Sequence, residues 1–197
     1  MGQPLPAASL DQLFRAARTP NDWVEEALDD ATVHALYDLA KWGPTSANSS
    51  PARFVWVRSA EGKSTLASLA MEANRPKILA APLTVIIGHD LDFPDSMHKL
   101  FPARAEMMRQ YFLAPGVAEV TGMRNGTLQG AYLIMAARAL GFDCGPMSGF
   151  DNAAVDKAFF AGTRIQSNFI CCVGHGKPES VWPRKPRLSF DEAGRFA

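Results

Sequence analysis

The chain has 197 residues, 47% of them hydrophobic, which is enough for one sizeable core and short for two, so a single domain over residues 1–197 is expected. Lys+Arg and Asp+Glu are both 20, and a net charge of zero speaks against a nucleic-acid polymer as partner. No stretch reaches the ~18 unbroken apolar residues of a membrane span, and the opening MGQPLPAASLDQLF lacks a secretory pattern, so no membrane is expected and the cytoplasm is the predicted compartment.

In chain order, Ser9 with Gln12 three residues later predicts a short capped helix to about Ala17, stopped by the polar turn ARTPNDW. Asp30 should cap a second helix ending near Trp42, with Val33, Leu36, Tyr37 and Ala40 as its apolar face. Gly43 and Pro44 stop it, and GPTSANSSP follows as a small-residue loop whose backbone N–H groups are free for a ligand. Arg53–Arg58 reads as a strand, 61–71 as a helix, and Leu83–His89 as a buried strand. Two short helices are expected near 95–100 and 103–112. The strongest helix is Val117 to Leu140. Its second half, AYLIMAARAL, is apolar nearly all round and must be covered on more than one side, for which a second subunit is the natural cover. Gly145–Phe150 reads as a Gly-rich loop, Asp151 as the cap of a helix to about Phe160, and Ser167–Gly174 as a strand. The proline-rich tail from His175 is too extended to pack on its own subunit alone, and wrapping a partner fits it.

Phosphate-loop, dinucleotide-turn, zinc-protease and serine-hydrolase motifs are all absent from the sequence. The odd number of cysteines, Cys144, Cys171 and Cys172, two of them adjacent, predicts buried thiols instead of a disulfide framework or zinc site. His34, His89, His98 and His175 lack ligand spacing, so no metal is expected. Tyr37 and Lys41 match a Tyr-x-x-x-Lys pair, but no dinucleotide turn precedes them and Tyr37 is assigned to an apolar face. What remains is small-residue loops and arginines at both chain ends: Arg18 near the start, Arg184, Lys185 and Arg187 near the end. Guanidinium groups offer paired planar donors that match phosphate oxygens, so bringing the two ends together would make an anion site without a phosphate loop.

Taken in order, these segments resemble the nitroreductase family of flavoproteins. ARTPNDW is similar to the family's N-terminal Arg-Arg-Ser-x-Arg-x-Phe segment, KWGPTSANSSPARFVWVR to its loop and strand, ALGFDCGPMSGF to the end of its interface helix and flavin loop, and PRKPRLSFDEA to its C-terminal phosphate-binding segment. The resemblance implies an α+β fold with a central mixed or antiparallel sheet flanked by helices, in an intertwined homodimer with a swapped C-terminal tail. It implies FMN as cofactor and NADPH or NADH as electron donor, with hydride passing through flavin N5 to a small-molecule substrate and no protein catalytic residue identified. The implied cofactor contacts are Arg18, Thr19, Asn21, Ser46, Asn48, Pro146, Met147, Ser148, Gly149 and Arg187. Asn21 departs from the pattern, because the family commonly has a second Arg there. Within the family, KWGPTSANSSPAR, AYLIMAARALGFDCGPMSGFD, DKAFFAG and PRLSFDEA are similar to the branch that reduces malonic semialdehyde to 3-hydroxypropionate in pyrimidine degradation. That likeness makes Arg104, Arg109 or Arg124 candidates for the substrate carboxylate. A broad-specificity nitroreductase or quinone reductase is the alternative, and a flavin-binding protein without turnover is the alternative of another class.

Overall fold

The structure, a computed structural model, describes residues 2–197. The first helix is shorter than expected: Ala7–Leu10 (α1) runs into a π-type turn over Asp11–Arg15. Pro6, not Ser9, precedes it, because the fixed proline φ suits an entry to a helix and no side-chain cap forms. Asp30–Ala40 (α2) is capped one residue earlier than expected, by Asp29, which accepts from the Thr32 N–H at 2.8 Å. Leu36 and Ala40 are buried on its inner row, whereas Tyr37 is 45% exposed at the flank of that row and meets Phe54 edge-on.

Ala52–Val57 (β1) leads to Ala60–Ser68 (α3), capped by Ser59. Arg75–Ala80 (α4) is unforeseen by the apolar pattern; Pro76 lies in its first turn, where the missing N–H removes no hydrogen bond. Leu83–Asp90 (β2) follows, then Met97–Leu100 (α5), Ala105–Phe112 (α6) and the long Val117–Ala139 (α7). The expected Gly-rich loop at 145–150 is in part a strand, Asp143–Met147 (β3). With Ile165–Gly174 as β4, the strand order β1-β2-β4-β3 makes β3 an edge, where Pro146 is tolerated. Asn152–Phe159 (α8), capped by Asp151, Ile165–Gly174 (β4) and the short Phe190–Ala193 (α9) complete the chain.

All strand pairs are antiparallel. Alternation along the buried strands sends side chains to two layers. Ile86, Ile170 and Cys172 join Leu66, Ile78 and Val155 from α3, α4 and α8. Val85, Ile87, Cys171 and Val173 join Leu36 and Ala40 of α2 and Leu133, Ala136 and Ala137 of α7 on the other face. The adjacent Cys171 and Cys172 therefore point to opposite sides of the sheet, and all three cysteines are free and buried. A satellite cluster of Phe93, Met97, Phe112 and Ala118 holds the α5–α6 segment together. The α+β architecture is thus an antiparallel sheet with helices on both faces.

Candidate functional site

The two chain ends are stitched together. Trp23 and Gly176 form an antiparallel bridge, Val24 N–H donates to His175 O at 2.8 Å, and Lys177 N–H donates to Asp22 O at 3.0 Å. Lys177 Nζ also pairs with the Asp22 carboxylate at 2.6 Å, which holds that carboxyl below its ordinary range and raises the lysine. Asn21 N–H donates to Ser180 Oγ at 3.1 Å and Asn21 Nδ2 to Ser180 O at 2.8 Å. Arg18 donates to Trp182 O, and Arg184 Nη2 donates to Arg15 O at 2.7 Å and to Ala17 O at 3.2 Å.

This stitching encloses a cavity of about 330 Å³. Arg18, Thr19 and Asn21 line it from the N-terminal stretch, and Arg184, Lys185 and Arg187 from the tail. Lys77 of α4 and Arg138 of α7 add two cations that the sequence pattern does not single out, and no acidic side chain lines the space. Arg138 lies in the last turn of α7, where a cation suits the helix dipole, and its Nη1 donates to Leu13 O at 2.9 Å. Each guanidinium has five N–H donors and spends only some on carbonyls, so donors remain for an anion.

Pro146, Met147 and Ser148 line a second cavity, of about 360 Å³, with Thr127, Ala131, Ile134 and Phe169. Ile134 lies four residues before Arg138, so both occupy one face of α7 a single turn apart. An apolar space and an all-cation space are thereby set side by side along one helix. Gly149 does not line either: its carbonyl accepts from Met71 N–H at 2.9 Å and Asn74 Nδ2 at 3.1 Å, and a Cβ there would meet Asn74 at 2.8 Å.

Ser46 and Asn48 stand elsewhere in the protomer. Ser46 N–H donates to Asn125 Oδ1 at 2.8 Å, and Asn48 Nδ2 to Leu100 O at 2.9 Å. Along α7, Asn125 is roughly 20 Å from Arg138, so one protomer does not bring this loop to the cation cavity. The loop is strained, with Ala47, Asn48 and Ser50 at φ of 49°, 55° and 41°. Buried Asn125 and Gln129 of α7 pin it from below, the latter accepting from Ala52 N–H at 2.8 Å.

Of the middle arginines, Arg109 is paired with Asp95 at 2.8 Å, Arg104 is exposed, and Arg124 lines another cavity beside Glu119. That cavity, about 910 Å³, and a further one of about 610 Å³ beside Asp22 carry charges of both signs, so neither selects for an anion as the all-cation space does. Burial pushes the Cys172 thiol up to about 12, and the Cys144 sulfur with burial pushes Cys171 up as well, which makes both poor nucleophiles. Among the described residues no His, Cys, Asp and Glu group is arranged to hold a metal, and no helix is long and apolar enough to cross a membrane.

Residues 2–175 match the profile of the nitroreductase family. A protein from a Caulobacter species, provisionally named NADH dehydrogenase/NAD(P)H nitroreductase, is 56% identical over 192 residues, covering 98% of each chain. Among solved structures, a provisionally named nitroreductase from Bacillus subtilis superposes with a TM-score of 0.88 at 18% identity, over 98% of this chain and 100% of the other. A protein from Exiguobacterium sibiricum, provisionally named a nitroreductase and solved in complex with FMN, superposes with a TM-score of 0.85 at 18% identity over 100% of both chains.

Proposed function

This chain belongs to the nitroreductase family, and we propose that it is an FMN-dependent NAD(P)H oxidoreductase of the cytoplasm that reduces malonic semialdehyde to 3-hydroxypropionate. The observation that carries the flavin reading is that a cavity whose charged lining is all cationic and an apolar cavity take lining residues, Arg138 and Ile134, one turn apart on α7. That pairing fits a molecule with a phosphate at one end and a flat ring system at the other. When bound, FMN supplies hydride transfer between NAD(P)H and a carbonyl carbon.

The chain's own residues bind and orient. Arg18 and Arg187, with Lys77 and Arg138, hold the phosphate, and Thr19 meets the ribityl chain. Pro146, Met147 and Ser148 lie along the ring, backed by Ile134 and Phe169. Gly149 serves this loop from behind, tying it to Asn74. Ser46 and Asn48, roughly 20 Å along α7 from the cation cavity of their own protomer, are assigned to the site of a second copy. The apolar residues exposed on α7, among them Val120, Met123, Leu128 and Tyr132, support a homodimer. Only the tail beyond Arg187 crosses to the partner, since Lys177–Arg184 is stitched to its own N-terminal stretch and Arg187 lines the same cavity. Holding substrate and ring in register reduces the barrier by up to ~7–11 kcal/mol. With Arg109 engaged by Asp95, the substrate carboxylate falls to Arg104 or Arg124.

The aldehyde assignment is supported by the likeness of four long segments to one branch of the family. The name of the Caulobacter relative favours a second reading, a broad NAD(P)H nitroreductase. Purified protein should be yellow, and NADPH or NADH without oxygen should bleach it. Malonic semialdehyde should then restore the colour with a higher kcat/KM than a nitroarene. A clear nitroarene preference selects the second reading, and a colourless protein that takes up no FMN removes both.

A further inference from the structure

Asn21 faces the cation cavity beside Arg18, yet its donors are already committed. Its N–H goes to Ser180 Oγ and its Nδ2 to Ser180 O, at 3.1 and 2.8 Å. The Ser180 hydroxyl in turn lies 2.7 Å from Lys177 O, to which it donates, closing the Pro178–Ser180 turn on itself. Pro20, the residue before Asn21, is buried against Gly176, where a Cβ would collide with its ring. The stretch 20–22 is thus seated flush on the root of the tail. Past Ser180 the tail is exposed, and what fastens it beside the cavity is cationic: Arg18 to Trp182 O, and Arg184 to Arg15 O and Ala17 O.

We infer that Asn21 and Ser180 form a neutral two-point latch, acting as positioning residues that fix the start of the tail so that Arg184 and Arg187 converge with Arg18 on a phosphate. This rests on the FMN reading above. A clamp is worth having here because like charges repel. Several cations crowded round one space push the tail away until an anion arrives, and uncharged bonds, as well as the Lys177–Asp22 pair nearer the root, oppose that push without using donors the anion needs. A cationic residue at 21 would add to the repulsion, whereas an amide adds fastening without charge. Asn21 lines the cation cavity, and neither it nor Ser180 lines the apolar one, so the latch should act on phosphate affinity.

The test titrates FMN and riboflavin, which lacks the phosphate, into flavin-free full-length protein, comparing wild type with Asn21→Ala and Ser180→Ala. Each substitution should weaken FMN binding about threefold to tenfold, as expected for one or two hydrogen bonds, while riboflavin affinity stays at the wild-type value. Riboflavin binding also reports that the variants are folded. Unchanged FMN affinity in both variants, or equal losses for both flavins, overturns the latch and leaves the FMN reading standing. Wild-type protein that binds FMN no better than riboflavin removes the phosphate site, and the latch with it.

Discussion

Arg187 spends Nη1 on the carbonyls of Lys185 and Pro186 at 2.9 and 3.1 Å, which keeps its guanidinium beside the cavity. Charge-assisted hydrogen bonds contribute about 1.5–3 kcal/mol each, so Arg187→Ala should raise the FMN dissociation constant between about tenfold and a hundredfold, read by flavin fluorescence, with little change in dimerisation. His89 offers a pH prediction. It is 4% exposed with Nδ1 unpartnered, and burial depresses its pKa, opposed only in part by Asp156 and Gln166. The unfolded chain therefore takes up a proton near pH 6.5 that the folded chain refuses. Stability held above that pH is lost as pH falls toward the folded value, by up to ~1.4 kcal/mol per pH unit. Denaturant titrations from pH 7 to 5 should show a shallower fall for His89→Gln than for wild type. At this scale the sequence was legible where chemistry sat at chain ends: Arg18 and Arg187 share the predicted cavity. Lys77 and Arg138 were not, because they lie in separate helices far from both ends in sequence and only folding shows what they adjoin.

Among elements, α7 does the most to place the site, and its inner face explains how. Gly122, Gly126 and Gly130 let the helix approach β2 and β4, and a Cβ on Gly126 would meet His89 Cβ at 2.9 Å. That neighbour is close to backbone and cannot swing aside. Overpacking of about 1–3 kcal/mol should outweigh the ~1 kcal/mol of helix propensity gained, so Gly126→Ala lowers Tm. Gly62→Ala in α3 is a poor control, since Ser59 and Val57 already crowd it; exposed Gly2→Ala, with nothing within 4 Å, should leave Tm unchanged. The apolar runs of β2, β4 and the second half of α7 and the period of α2 were readable because burial alone dictates them. The edge strand β3 was not: its Gly145 and Pro146 look like loop residues, and only the pairing with β4 makes them a strand.

For the whole molecule, the surface left over is informative. Val120, Met123, Leu128 and Tyr132 are exposed on α7, as are Trp182, Leu188, Phe190 and Phe196 in the tail. Apolar exposure of this extent marks a contact surface. Sedimentation should give twice the 21.4 kDa of one chain, and Met123→Asp with Leu128→Lys should shift it toward the monomer and release flavin together. Survival of flavin binding in such a monomer would mean that Ser46 and Asn48 of a second copy are not needed. The sequence placed the expected contact on the apolar second half of α7, residues 131–140, whereas Val120, Met123 and Leu128 lie in its first half, and of the second half's large apolar residues only Tyr132 and Leu140 stand exposed.

Because the cation cavity joins residues 17–21 to residues 182–187, its lining is complete only once the segment after the last strand has been laid down. A product ending before Trp182 would keep all four strands yet lack Arg184, Lys185 and Arg187, leaving Arg18, Lys77 and Arg138 alone to meet a phosphate.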